Sequence, residues 1–268
     1  MKKWFLAPVL LTALSATAHE FWMLPDRFAP PLNSPVRLSI SVGENFQGDA
    51  VGISRPLVAT LRHYAKGGVQ DLKTQVPEGP AVGSLPIAFA QPGAQLIALD
   101  TQPNTIELSA DKFHAYLREE GLESVIQQRE ASGQAALPGR ERYRRHVKTL
   151  LRAGGVSDAS YAVPTGQRLE IAPLADPHAQ AGGGDVAFKV KFEDKPLAGA
   201  LAKAWHQRSN QLVILRARTD VQGRVTFSLP WAGRWMVSLV HMTPATDATG
   251  IDWDSYWGNL TFELPARR

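Results

Sequence analysis

Two hydrophobic periods divide the chain. Val36-Arg37-Leu38-Ser39-Ile40-Ser41-Val42 alternates apolar and polar residues, which places the apolar set on one face of a half-buried strand. Similar short runs at 58–64, 85–89 and 95–99 are separated by Gly and Pro turns. Closely spaced strands of this kind predict a β-sandwich-like domain over 19–108. The period then lengthens. Ser109 stands as an N-cap with Asp111 in the first turn, Phe113, Tyr116 and Leu117 recur at helical spacing, and Gly121 supplies a stop. Leu122, Val125 and Ile126 predict a second helix. Tyr143, Val147, Leu150 and Leu151 predict a third, ended by Gly154-Gly155. The helical segment therefore runs over 109–155. The other face of its last helix carries Arg140, Arg142, Arg144, Arg145, Lys148 and Arg152, a pattern read as a solvated face paired in part with nearby acids.

From Gln167 onward the period is two again. Runs at 185–192, 200–205, 211–218, 225–229 and 235–241 predict strands linked by turns, giving a C-terminal domain over 156–268. The stretch PLAGA followed by TDVQGRVTFSLPWAGRW resembles the immunoglobulin-like sandwich of carboxypeptidase-regulatory and transthyretin-like modules. The expected fold is mostly β, with two sandwich units and a helical segment between them.

The first residues change the picture of where the protein works. Lys2 and Lys3, an apolar run from Trp4 to Leu14, and the small residues Ala16 and Ala18 are ordered as in a cleavable signal peptide spanning 1–18. The run is shorter than the ~20 residues needed to cross a bilayer. The expected product is exported to the periplasm and begins at His19. Removing Lys2 and Lys3 lowers the formal charge from +4 to 4 − 2 = +2, too small a bias to argue for nucleic acid or a membrane surface. The chain has no Cys, which excludes disulfides, thiolate metal sites and Cys nucleophiles. It also lacks the Gly-rich nucleotide loops, the H-E-x-x-H motif and the G-x-S-x-G motif.

Those exclusions leave nitrogen and carboxylate chemistry. A first-position His19 offers an α-amine and an imidazole to one metal ion, a donor pair suited to Ni, Co, Cu or Zn. Phe21 and Trp22 follow immediately and argue for an anchored terminus. His241 ends a strand pattern, on the same face as Trp235, Val237 and Leu239. Asp252 and Asp254 share a face opposite Trp253 and Trp257, and either carboxylate could ligate a metal or orient a ligand histidine. His63, His114, His146, His178 and His206 read as structural or exposed, and the tryptophans as core or rim packing.

The segments AHEFWMLPDRF (18–28), GENFQGD (43–49), KFHAYLREEGLESV (112–125), RERYRRHVKTLLRAGG (140–155) and VHMTPATDATGIDWDSYWGNLTFEL (240–264) resemble a family of bacterial periplasmic proteins associated with nickel and cobalt uptake. The resemblance implies a histidine at the mature terminus, matched by His19, and a second matched by His241. It implies Glu at the position of Asp254. The expected function is therefore binding of a divalent transition metal (Ni, Co or Cu) by His19, His241, Asp252 and Asp254, in the service of an inner-membrane metal transporter. Two alternatives stand beside it: a copper redox enzyme with a histidine-brace site, and a glycan-binding or adhesion module using tryptophans.

Overall fold

The structure, a computed structural model, describes residues 20–44, 46–180, 182–208, 211–247 and 249–266. The signal segment and His19 lie outside these residues. In chain order the first strands are β1 (Glu20–Pro25), β2 (Val36–Glu44), β3 (Gln47–Val51), β4 (Val58–Ala65), β5 (Gly68–Asp71), β6 (Ser84–Ile87), β7 (Gly93–Thr101) and β8 (Asn104–Leu108). Two helices follow, α1 (Ala110–Glu119) and α2 (Glu123–Ala131), then β9 (Gly139–Ala153), β10 (Leu169–Pro173), β11 (Gly184–Phe192) and β12 (Lys195–Pro196). The chain ends in β13 (Leu201–Arg208), β14 (Gln211–Arg218), β15 (Arg224–Leu229), β16 (Gly233–Pro244) and β17 (Trp253–Leu264).

A nine-stranded sheet forms the middle layer, in the order β14-β13-β16-β17-β9-β7-β4-β5, with β8 beside β9. All its pairings are antiparallel except β17 with β9, which is parallel. β17 thus joins the three strands on one side to the five on the other. One face is covered by the small sheet of β10, β11, β12 and β15, whose Val186, Phe188, Val190 and Phe227 meet Trp235, Val237, Leu260 and Phe262. The opposite face is covered by the sheet of β1, β2, β3 and β6 at one end and by the two helices at the other. Mostly β is therefore right, and the two expected sandwich units share the large sheet as their common wall.

The expected helix over Tyr143–Leu151 is a strand. β9 is covered on both faces, so apolar residues occur on both: Leu150 joins the core under the small sheet, while Val147 and Leu151 join the core under the N-terminal sheet. A strand buried on both sides loses its period-two signature, and its apolar positions happened to fall at helical spacing. The helical segment of 109–155 is consequently helical only as far as Ala131. β15 shows the contrast. One face is buried and the other exposed, so every second residue is buried and the pattern was readable.

β1 is held in an unusual way. It pairs with β2 along one edge, and carbonyls on its other edge are met by side chains from the large sheet. Asn259 Nδ2 donates to the carbonyl of Phe21 at 2.7 Å and Thr261 Oγ1 to that of Met23 at 2.7 Å. Ser238 Oγ donates to Glu20 Oε1 at 3.0 Å. Trp22, almost fully buried, packs with Phe46, Trp205 and Met236. Asn259→Ala removes a donor from a buried carbonyl, which costs about 1–3 kcal/mol. Urea unfolding should show a loss in that range, and an unchanged midpoint would mean that this edge of β1 does not depend on Asn259.

Candidate functional site

Of the expected metal ligands, His241, Asp252 and Asp254 lie among the described residues and His19 outside them. His241 lies on the face of the large sheet that meets the small sheet, its ring 4.4 Å from that of Phe192. Burial lowers its pKa, opposed by Glu193. Asp252 is clamped by Arg140, whose Nη2 is 2.6 Å from Oδ1 and whose Nε is 3.0 Å from Oδ2. Asp254 accepts from Arg142 Nε at 2.6 Å, Arg142 Nη2 at 2.7 Å and Arg144 Nη1 at 3.0 Å. Burial pushes the Asp254 carboxyl up, but Arg142 and Arg144 hold it below its ordinary value. Each carboxylate thus spends its oxygens on guanidinium groups, the pairing expected for a basic face with nearby acids. Among the described residues, no group of three His, Asp or Glu side chains is placed to hold a metal ion.

Four of the other histidines have local partners. His146 Nδ1 is 2.7 Å from Asp100 Oδ1, His178 Nδ1 is 3.3 Å from Asp176 Oδ1, His63 Nε2 is 2.7 Å from Gln95 Oε1, and His206 stacks on Trp231 and Trp235. Trp22, Trp205, Trp235, Trp253 and Trp257 are buried, which leaves no broad tryptophan surface among them for stacking a sugar.

The concave site lies elsewhere, where β1, β3, β8, α1, β9 and β17 meet. A pocket of about 410 Å³ opens there, within the range of roughly 300–1,000 Å³ typical of small-molecule sites. Because β9 is extended, Glu141, Tyr143 and Arg145 share one face, and all three line the pocket. Tyr116 and Trp257 form its aromatic wall, their rings parallel to within 7° and 5.5 Å apart. The Arg145 guanidinium lies over the rings of Phe21, Tyr143 and Trp257 at 5.1, 5.4 and 5.5 Å. The rest of the lining is largely aliphatic, with Val42, Val51, Leu57, Ile106 and Leu108.

Glu141 is 2 % exposed. Its Oε1 accepts from Ser255 Oγ and, at 3.3 Å, from the Tyr116 hydroxyl; Trp257 Nε1 in turn donates to Ser255 Oγ at 3.2 Å. Burial raises the Glu141 pKa against these donors and Arg145. Burial also raises Tyr116, helped by the charges of Glu141 and Glu120. Behind the pocket the network continues. Lys203 Nζ donates to Glu120 Oε1 at 2.7 Å, while Glu120 Oε2 is buried without a hydrogen-bond partner. Burial raises Glu20, opposed first by Lys203.

Sequence reasoning missed Glu20, Tyr116, Glu120, Glu141 and Lys203, and placed Arg145 on a solvated helix face. The available signal was the alternation Glu141-Tyr143-Arg145, which becomes visible once residues 139–153 are read as extended.

Burial pushes the Glu120 pKa up to about 7 from an ordinary 4.5, against the attraction of Lys203. The folded protein then holds a proton that the unfolded chain has released. This contribution to stability is full below about pH 4.5 and is lost as pH rises through about 7. His63 and His241, whose pKa values burial lowers, act with the opposite sign below 6.5. The comparison between proteins cancels the histidines and reports Glu120 together with Glu20, which shares Lys203 with it. Between pH 5 and 8 (roughly the window this shift defines), wild type should lose stability relative to Glu120→Gln, measured by chemical denaturation. Parallel curves would show that Glu120 does not titrate there.

No curated protein matches the chain. A family described as "Domain of unknown function (DUF4198)" matches residues 16–243, a span that takes in the pocket-forming strands from β1 to β9 and most of β16. The chain belongs to that family.

Proposed function

We propose that this protein is a non-catalytic binder of a small, largely apolar molecule, exported and acting as a carrier or receptor. The observation that carries the reading is one pocket in which an aromatic and aliphatic lining converges on two ionisable groups, Glu141 and Arg145. Apolar walls with a few fixed polar groups are the usual make-up of a ligand site. The groups are set in a rigid frame. Glu141 and Arg145 stand on a central strand, and Phe21 on a strand pinned by Asn259. A neutral solvatochromic dye, Nile red, tests the pocket. Its emission should rise and shift to the blue with wild type, and Val51→Trp, which fills the pocket, should weaken binding at least tenfold. The exposed Val69→Trp should leave binding intact. Equal binding by the Val51 variant would overturn the reading.

A second reading keeps the metal. A divalent transition-metal ion (Ni, Co or Cu) held by the amine and imidazole of His19, for delivery to an inner-membrane transporter, is supported by the anchoring of the next residue. Glu20 is buried and bonded to Ser238, so the chain is fixed one residue after His19. Because Asp252 and Asp254 are engaged by arginines, His19 would have to dominate such a site. Protein processed to begin at His19 should bind Ni or Cu with affinity rising between pH 5 and 8, as imidazole (about 6.5) and α-amine (about 7.7–8.0) lose their protons. One extra residue before His19 should abolish most of that binding. Equal binding by the extended protein would sink the metal reading and leave the pocket reading standing.

A further inference from the structure

A second cavity lies at the rim of the large sheet, where the loop after α2 turns into β9. It holds about 310 Å³, at the lower end of the roughly 300–1,000 Å³ of small-molecule sites. Four charged side chains line it, Glu107, Arg129, Arg140 and Asp252, beside the apolar Leu137 and Pro138. Glu107 and Arg140 are cross-strand partners on β8 and β9. The next pair, Ile106 and Glu141, points the other way and lines the first pocket. The two cavities draw on opposite faces of this strand pair, and a ligand in one need not touch the other.

Two of the four charges answer each other. Arg140 Nε and Nη2 donate to the two Asp252 oxygens at 3.0 and 2.6 Å, and the Arg140 backbone N–H donates to Oδ2 at 3.1 Å. The other two have no bonded counter-ion: among the described residues neither Arg129 nor Glu107 forms an ion pair. Arg129 is 1 % exposed and held on several sides. Its guanidinium lies 4.8 Å over the Phe113 ring. Its Nη2 donates to the carbonyls of Gln134 at 2.9 Å and Leu137 at 2.6 Å, which fixes the loop around the cavity. That staple occupies one nitrogen. Nε is buried without a partner, and a buried guanidinium with no bonded carboxylate is costly. Burial lowers the Arg129 pKa, opposed by Asp252, but an arginine stays charged at neutral pH. Glu107 is exposed and carries its charge on the solvent side.

The four charges sum to zero, and that selects the ligand. An anion drawn to Arg129 meets Asp252 and Glu107, and a cation drawn to Glu107 meets Arg129 and Arg140. A molecule with one charge of each sign faces both unpaired groups at once, its carboxylate on a guanidinium, the stronger kind of hydrogen bond. The small volume and the wall of Leu137 and Pro138 suit a short carbon side chain. We propose that this cavity binds a zwitterion, a free α-amino acid with a small apolar side chain, its carboxylate on Arg129 and its ammonium on Glu107.

Three compounds separate the two charges. L-Valine carries both, 3-methylbutanoate is the same skeleton without the ammonium, and 2-methylpropan-1-amine is the same skeleton without the carboxylate. Each is titrated calorimetrically into the full protein at pH 7. Valine should bind at least tenfold more tightly than either of the others. Glu107→Gln, at an exposed position, should bring valine down to the level of 3-methylbutanoate. Arg129→Gln should bring it down to the level of the amine. Because that change also frees the loop, its urea midpoint is measured alongside, and Glu107→Gln carries the test if the Arg129 variant fails to fold. Binding of a single-charge compound as tight as that of valine, or valine binding unaffected by Glu107→Gln, would overturn the zwitterion. No binding of any of the three would overturn the site itself and leave the Nile red result at the first pocket untouched.

Discussion

The structure depends on a strand edge satisfied by side chains. β1 has a partner strand on one side only, and in the interior an unpaired carbonyl is costly. Asn259 and Thr261 of β17 supply the missing donors. This ties the N-terminal sheet to the centre of the large sheet at a fixed height. Phe21 thereby becomes a wall of the pocket, and the Glu20 carboxyl is carried into the interior beside Ser238. Trp22, pointing away from Phe21 along the same strand, fills the seam with Phe46 and Trp205. One short segment therefore sets the packing, the shape of the cavity and part of its charge.

What was legible in the sequence follows from which surfaces are half-covered. β2, β11 and β15 have faces in different surroundings, so alternation marked them plainly. α1 was equally plain, because it buries Phe113, Tyr116 and Leu117 and exposes the rest. β9 and β17 were not. They lie at the middle of the sheet with cover on both sides, and their polar residues pair internally, as Lys148 does with Glu170 and Thr261 with Thr149. Charge in such a strand resembles a surface pattern unless its buried partner, often distant in sequence, is known. Arg142 and Asp254 form one such pair. The aspartates stood out as ligand candidates because their arginines were assigned to a helix.

The pocket was hidden for the same reason. Its aromatic wall comes from α1 and β17, its ionisable row from β9 and much of its aliphatic lining from β2, β3 and β8. No single stretch carries a motif. Glu20, Glu120 and Glu141 are unremarkable in isolation and gain meaning only as buried neighbours sharing Lys203 and Arg145. The low dielectric around them makes each charge state interdependent, so a ligand that settles near one carboxyl changes the protonation of the others.

The position of β17 also governs the order of assembly. It is the last strand among the described residues and lies between β16 and β9, joining the two parts of the large sheet. Its parallel partner β9 lies 112 residues earlier at each matched position, as for Asp254 and Arg142. Neither part can complete its hydrogen bonding while the final strand is absent, so the sheet cannot mature vectorially from the N-terminus. Contacts of such long range make folding slow, and until β17 inserts, the inner edges of β9 and β16 are open templates for foreign strands. A chain built in this way benefits from having β9 and β16 kept apart from foreign strands until β17 is available.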